Sequence, residues 1–444
     1  MRRTLSPDRN LLIVGILLIL GFLLGGGGAG AGLANLAVQL AAILVLALHP
    51  TTLSSFFRKS PRHVAVLVGV TVLLPLLQCI PLPSALWHML PGRQLAEQSL
   101  QIVGHRNDWM PMSLNVRRTL VAFLSLLPPL TILILTTQLQ EHRRPALLAL
   151  LVACGVFEVL LGAQQMALGN RHLMFYSETI GTPDLQGVFA NRNTAGLFLN
   201  ITLCALIGLL MCSRVNVVTI SVTSGVGLLL LAGLFLTRSR SSMVLGVIPF
   251  ILLVHYLWSF RAHFRVTGLQ RTLLAAVAGL LSILILIAVG NERLQGSLSR
   301  FDHLEDARPA IWEDAISSAK RFWPIGAGVG SFDDVFQVDE ALENVGPGRA
   351  GRAHNDYLEV LIESGGLGGV LVVSWIGTIF FAISSGIRGS QNDGGKLAAA
   401  AIFTLLAFQS VLDYPLRSEA MLCVAGLMLA FLLPASLVQA RERE

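Results

Sequence analysis

Arginine, histidine and amide side chains crowd four short stretches of this chain. The first is Asn191-Arg192-Asn193, and the second is Thr237-Arg238-Ser239-Arg240-Ser241. The third is Arg308-Pro309-Ala310-Ile311-Trp312 with the following Pro324-Ile325-Gly326-Ala327-Gly328-Val329-Gly330-Ser331-Phe332, and the fourth is Arg352-Ala353-His354-Asn355-Asp356-Tyr357-Leu358-Glu359. A guanidinium presents a planar fork of donors that matches phosphate or carboxylate, whereas lysine offers only a point charge. Arg192, Arg238 and Arg240 border apolar runs, so each also admits a second reading as an interfacial side chain reaching for water. His354 precedes Asn355, a helix N-cap type, and Asp356 in the first turn of the helix that follows. A neutral imidazole in that place can take a proton from a hydroxyl, while a merely solvated ring is its plain alternative. Gly326-x-Gly328-x-Gly330 has the glycine spacing of a phosphate loop but lacks the preceding strand and the Lys-Ser/Thr pair, and it reads as a flexible turn.

The elements that must position these residues are membrane helices. Of the 444 residues, 54% are hydrophobic and 13% charged, against roughly 25% charged in a soluble domain. The apolar runs, such as Leu11–Leu24 and Leu273–Val289, are continuous rather than alternating with period two. Lipid leaves a backbone only helices or a closed barrel, and this pattern selects helices. The expected fold is all-α: a polytopic membrane protein with about twelve spans, near 10–25, 32–49, 63–80, 117–137, 146–168, 192–212, 216–237, 242–259, 271–290, 366–386, 397–415 and 418–438. The five cysteines (Cys79, Cys154, Cys204, Cys212 and Cys423) lie in or beside apolar runs and read as small apolar fillers, without disulfide or metal-ligand spacing. The start, Met1 to Leu24, reads as a retained first span rather than a cleaved signal peptide, because Gly25–Gly28 offers no small-x-small cleavage site.

Charge orients the bundle. With twelve spans, both termini share a side with the segments near 50–62, 138–145, 213–215, 260–270 and 387–396, and that side nets +11 while the other nets −5. Basic residues in short loops mark the cytoplasmic face, and no nucleic-acid site is read from them. The outer side holds 15 Arg and a single Lys, Lys320. Its longest segment, 291–355, spans 65 residues and carries Ile311, Ala315, Ile316, Ala319, Phe322 and Trp323 near helical spacing, which predicts an amphipathic helix on the membrane surface. The chain therefore divides into a transmembrane bundle at 1–290, a periplasmic loop at 291–355, and a last part at 356–444 with the final spans and a cytoplasmic tail.

In this order, NRNTAG, RSRSS, RPAIWEDA, PIGAGVGSF and AHNDYLEVLIESGGLGG resemble the O-antigen ligase and polymerase family of bacterial envelopes. The resemblance covers about 185–370; beyond it only the span count agrees. It implies an all-helical glycosyltransferase of the bacterial inner membrane, acting on its periplasmic side with both termini cytoplasmic. The implied donor is an undecaprenyl-diphosphate-linked glycan, and no metal or other cofactor is required. The implied acceptor is the lipid A-core sugar for a lipopolysaccharide ligase, or another lipid-linked glycan for an exopolysaccharide polymerase. Carried over residue by residue, Arg192 with Arg238 or Arg240 would hold the diphosphate, and His354 would be the base for the acceptor hydroxyl. Asn193, Arg308, Arg352, Asn355 and Asp413 are supporting candidates, Asp413 because LDYPLR fits a loosely shared acidic position.

The chemistry of the residues agrees with that picture. Cationic donors aimed at a departing diphosphate lower the barrier to glycosyl transfer. A single displacement inverts the anomeric carbon and needs no covalent carboxylate, unlike a retaining glycosidase. A secondary transporter or other permease is the rival class; it would want broken helices and ionisable groups at mid-membrane, and Glu158 is the acid that lies well inside a span. Other lipid-donor glycosyltransferases, such as mannosyltransferases and oligosaccharyltransferases, usually carry acids in the first outer loop, whereas Gly25–Gly32 has none. Ligase and polymerase stay unseparated. The charge asymmetry makes a direct prediction: an impermeant thiol reagent applied from the periplasm should label a cysteine placed at Ser331 and miss one at Ser390. The reverse pattern would invert the whole topology.

Overall fold

The computed structural model describes residues 7–27, 31–213, 216–260, 308–345, 350–389 and 393–433. The expected span at 271–290, the start of the long loop (291–307) and both chain ends lie outside the described residues. In chain order the helices are α1 (Pro7–Leu24), α2 (Gly32–Leu48), α3 (Pro50–Lys59), α4 (Arg62–Gln78), α5 (Ser84–Trp87) and α6 (Gln94–Ile102). They continue with α7 (Val116–Ser125), α8 (Leu127–Thr137), α9 (Pro145–Ala167), α10 (Arg192–Cys212), α11 (Val217–Leu236), α12 (Arg240–Leu245) and α13 (Val247–Phe260). The last are α14 (Arg308–Phe322), α15 (Phe332–Phe336), α16 (Asp356–Gly389), α17 (Gly394–Leu412) and α18 (Glu419–Leu432).

Seven stretches among the described residues are long and apolar enough to cross a membrane: Val116–Thr137, Glu141–Ala167, Arg192–Cys212, Val217–Leu236, Arg240–Ser259, Asp356–Ser385 and Gly394–Leu412. The pair α2 and α3, bent by 82°, would make an eighth. Twelve were expected from the sequence. Besides the bent pair and the expected span at 271–290, which lies outside the described residues, three expected spans fall short in length: Arg9–Leu24, Arg62–Gln78 and Glu419–Leu432 are apolar helices of 17 residues or fewer. At 1.5 Å per residue they reach about 26 Å at most, short of the ~30 Å hydrocarbon core.

Helix α10 is the axis of the bundle. It packs on α9, α11, α13 and α17, and every residue from Thr194 to Gly208 is buried. Asn191 caps it by accepting from the Asn193 backbone N–H at 2.8 Å. The N-terminus of α10 is thereby held rigidly at one end of the bundle, where the polar motifs gather.

A folded cap covers that end. The segment after α4 forms a short antiparallel ribbon, Pro81–Leu82 against Met110–Pro111. The buried Trp87 indole donates to the Pro111 carbonyl at 2.9 Å. Arg93, almost fully buried, donates to the carbonyls of Met112 at 2.5 Å and Gly326 at 3.0 Å, and lies over the Phe322 ring. Burial, and then the nearby Arg321 charge, lower its pKa to about 10. Helix α14 buries Asp314, Ala315, Ser318 and Phe322, and Phe322 and Ala315 share a core with Phe332, Phe336, Ala353 and Ile362. The expected amphipathic helix is present as a packed element of this cap. Ile311, Ala315, Ala319 and Phe322 join the cap core, while Ile316 and Trp323 stay exposed.

The glycine spacing of that segment also has a different reason from the flexible turn expected. Ala327 and Gly328 donate backbone N–H to Ile362 and Glu363 carbonyls, each at 2.9 Å, and Gly366 donates to Pro324 at 2.8 Å. The two backbones run so close that a Cβ on Gly326 would stand 2.5 Å from the Glu363 carbonyl oxygen. One on Gly365, at φ +55°, would stand 2.1 Å from that of Pro324. The clamp sits inside α16, at the kink where Gly365 leaves helical geometry. Gly365→Ala should therefore lower the thermal midpoint of the detergent-purified protein, the backbone conformation alone costing about 1–3 kcal/mol. Gly377→Ala, in the same helix with open space around it, should leave the midpoint unchanged or raise it. Equal midpoints for the two variants would remove the clamp as a constraint.

Candidate active site

Three chain segments meet where α10, α16 and the turn after α17 converge. Asn355 accepts from the Leu358 N–H at 3.0 Å and so caps α16. Just ahead of that cap, Glu359 reaches back to accept from the Ala353 N–H at 2.9 Å, and Trp312 donates to the Ala353 carbonyl at 2.9 Å. Gripped on both sides, His354 takes a left-handed backbone, φ +50°. A non-glycine residue rarely pays for that conformation unless its surroundings impose it.

The ring of His354 meets Asp413, with Nδ1 3.0 Å from Oδ1. The other oxygen of Asp413 accepts from the Asn191 amide at 3.2 Å, and the carboxylate is buried. With Nδ1–H donating to Asp413, the Nε2 lone pair of a neutral ring is left to accept a proton, as in the aspartate–histidine pairs of hydrolases. Tyr414 packs its ring edge-on against His354, centroids 5.0 Å apart. Burial, then the Asp413 charge, push the Tyr414 phenol up to about 12, so it remains a donor.

Asn191 is followed at once by Arg192, whose Nη1 donates to Asp184 at 2.7 Å. Arg238 approaches the other oxygen of Asp184 at 3.8 Å. Asp184 is buried, whereas the two arginine side chains are 35% and 23% exposed, so the carboxylate gathers both at one spot without enclosing them. Arg238 shares the left-handed backbone of His354, φ +55°. The segment around it docks on α10: Ser239 donates to Asn193 Oδ1 at 2.8 Å, and Ser242 donates to the Asn193 carbonyl at 3.1 Å. Gln409 of α17 donates to Ser241 at 3.2 Å.

The supporting candidates take distinct places. Arg352 pairs with Glu359 at 3.2 Å and lies over the Tyr414 ring. Asn193 anchors the serines, and Asn355 caps α16. Arg308 opens α14, one turn before Trp312, and Arg240 opens α12. Thus Asp413 joins His354 directly, Arg192 and Arg238 meet through Asp184, and Arg308 and Arg240 stand at helix starts.

Sequence reasoning missed Asp184, Asn191 as the link, and Arg417. Asp184 left one signal, an acid eight residues before an arginine at a span end. Arg417 is contacted by Glu363 at 2.9 Å, Glu359 at 3.2 Å and Asp356 at 3.5 Å. Burial opposes its charge, but the three carboxylates outweigh burial and raise its pKa above the ordinary range. Glu158, the acid that a transporter reading would use, accepts from the Val188 N–H at 3.0 Å. With Gln165, which bonds both backbone groups of Gly187, it holds the loop leading to Asn191.

The arrangement can therefore offer a proton acceptor at Nε2 of His354, linked through Asp413 and the Asn191–Arg192 peptide to a pair of guanidinium groups. Residues 225–373 match the family model described as O-antigen ligase (Wzy_C). That segment carries Arg238, Arg240, Arg308, Arg352, His354 and Asn355, while Asp184, Arg192, Asn193 and Asp413 lie outside it. No curated protein matches the chain. Through residues 225–373, about a third of its length, this multi-pass helical membrane protein is thus similar to the O-antigen ligase family.

Proposed function

We propose that the protein moves a saccharide chain from undecaprenyl diphosphate to an acceptor hydroxyl, with inversion at the anomeric carbon and without a metal. The observation that carries this reading is the hydrogen-bonded run from His354 through Asp413 to Asn191, whose neighbour Arg192 shares Asp184 with Arg238. The acceptor oxygen attacks the anomeric carbon, the bond from that carbon to the diphosphate oxygen breaks, and the hydroxyl proton passes to Nε2 of His354. Charge grows on the departing diphosphate, and Arg192 and Arg238 are cationic donors suited to it. The leaving group departs as an anion, so no general acid is needed. Arg240 is the reserve donor in this scheme.

The site end of the bundle is assigned to the periplasm of a bacterial inner membrane, with both termini cytoplasmic. Charge asymmetry and the absence of ATP there support this, since the donor carries its own activation. The acceptor is the lipid A-core sugar or another lipid-linked glycan.

If His354 is the base, His354→Ala should lower turnover by about 10²–10⁴ while donor binding persists. Asp413→Asn, which disturbs the tautomer but keeps the shape, should fall in the same range, and chelator should change nothing. His105→Ala, an exposed histidine of the cap, is the control. Wild-type turnover in His354→Ala would end the assignment.

Arg192→Lys retains charge but loses the fork, so it should be nearly as damaging as alanine. A charge-assisted hydrogen bond is worth roughly 1.5–3 kcal/mol, or at least about tenfold in donor KM or turnover. Near-normal kinetics in the lysine variant would make Arg192 a generic anchor.

A further inference from the structure

A cavity of about 410 Å³ opens beside this site, within the range of small-ligand pockets. Phe175, Tyr176 and Glu178 contribute from the segment before α10, Asn191 and Thr194 from the start of α10, and Tyr414 from the turn after α17. Part of its shape depends on bare backbone: a Cβ on Gly27 would stand 2.4 Å from the Tyr176 ring. Gly27, in the run that follows α1, thus leaves room for an aromatic wall.

The lining selects the chemistry of the occupant. An anionic ligand would need a cation, but the arginine in the lining, Arg417, is already shared by Asp356, Glu359 and Glu363. Exposed Glu178 would repel an anion further. A lipid tail would leave Asn191, Thr194 and Glu178 facing hydrocarbon, at a cost. A sugar ring satisfies both demands: its C–H faces lie against aromatic rings, and its hydroxyls reach amide, hydroxyl and carboxylate groups.

Position selects which sugar. Asn191 donates to Asp413, and Tyr414 touches His354, so two lining residues contact the candidate base and its carboxylate. Arg192 and Arg238 do not line this cavity; Arg238 lines a separate one of about 210 Å³ with Met166, Asn170 and Pro183. A donor sugar is one bond from its diphosphate and would have to lie against the arginines.

We propose that the cavity bounded by Tyr176, Asn191 and Tyr414 is a saccharide subsite that takes the terminal sugar of the acceptor. This assignment rests on the glycan-transfer reading above and adds to it the place where the acceptor is recognised.

The test uses the full chain in lipid nanodiscs with an undecaprenyl-diphosphate-linked repeat unit as donor. Two acceptors are compared, lipid A-core and the lipid-linked repeat unit. Tyr176→Ala should raise acceptor KM by about tenfold, the loss of one aromatic wall. Donor KM and turnover at saturating acceptor should stay within about twofold, and Tyr176→Phe should retain normal acceptor KM. Glu178→Gln, at an exposed position that spares the fold, should raise acceptor KM by roughly threefold. Unchanged acceptor KM in Tyr176→Ala and Glu178→Gln overturns the subsite while leaving transfer intact. A rise in donor KM alone overturns the acceptor assignment. A second arm needs no turnover: saturation-transfer NMR with free core oligosaccharide and free repeat-unit oligosaccharide should give a signal with wild type that Glu178→Gln and Tyr176→Ala weaken. An inactive wild type that still shows this difference sinks the transfer reading and keeps the saccharide site. Equal signals in all three proteins sink the site.

Discussion

A single half-buried guanidinium ties the polar end of this bundle together. Arg417 is shared by Asp356, Glu359 and Glu363, which project from the first turns of α16 at spacings of three and four residues. Taking these charges out of water is costly, and losing one partner of such a set leaves the rest uncompensated. The turn after α17 is consequently locked onto α16. Asp356 also accepts from the Leu416 N–H at 3.1 Å and from Ser410 at 3.0 Å. Asp413 and His354 are 59 residues apart in sequence, and this lock is what keeps them in contact.

The cap works on the same helix from the other side. Backbone hydrogen bonds between Pro324–Gly328 and Ile362–Gly366 set the height of α16, while Trp312 and Glu359 hold the residue before His354. The left-handed backbone at His354 is the outcome of these competing attachments. Arg238 shows the same conformation between α11 and α12, where the serine docking on Asn193 leaves the chain little choice. Local strain of this kind persists only in a frame that over-determines it. The frame here is a largely buried α10 with polar motifs packed about its N-terminus.

Asp184 explains how two arginines can sit side by side at the rim of an apolar bundle. Two guanidinium groups alone would repel one another in a poorly screened setting. A buried carboxylate, hydrogen-bonded to Arg192 and 3.8 Å from Arg238, offsets that penalty. Both arginines remain partly exposed.

Much of this could be read from the amino acids in order. Continuous apolar runs determined helices, since a backbone in lipid must satisfy itself within one segment. The N-cap at Asn355 was legible because capping is a contact across three residues. Arg192, Arg238 and Arg240 stood out because such side chains are expensive at span ends, and His354 because it precedes the N-cap. Tertiary structure alone decided the rest. Part of the stripe of α14, Ala315 and Phe322, is buried in the cap, and periodicity cannot say what partner covers an apolar face. The glycines of PIGAGVGS looked like a loose turn because their reason, another backbone at Glu363–Gly366, lies far along the chain. Asp413 carried little weight in sequence and Asp184 none, yet each pairs with a candidate site residue. A carboxylate's role is set by what stands opposite it, and for residues joined across helices that is written only in the packing.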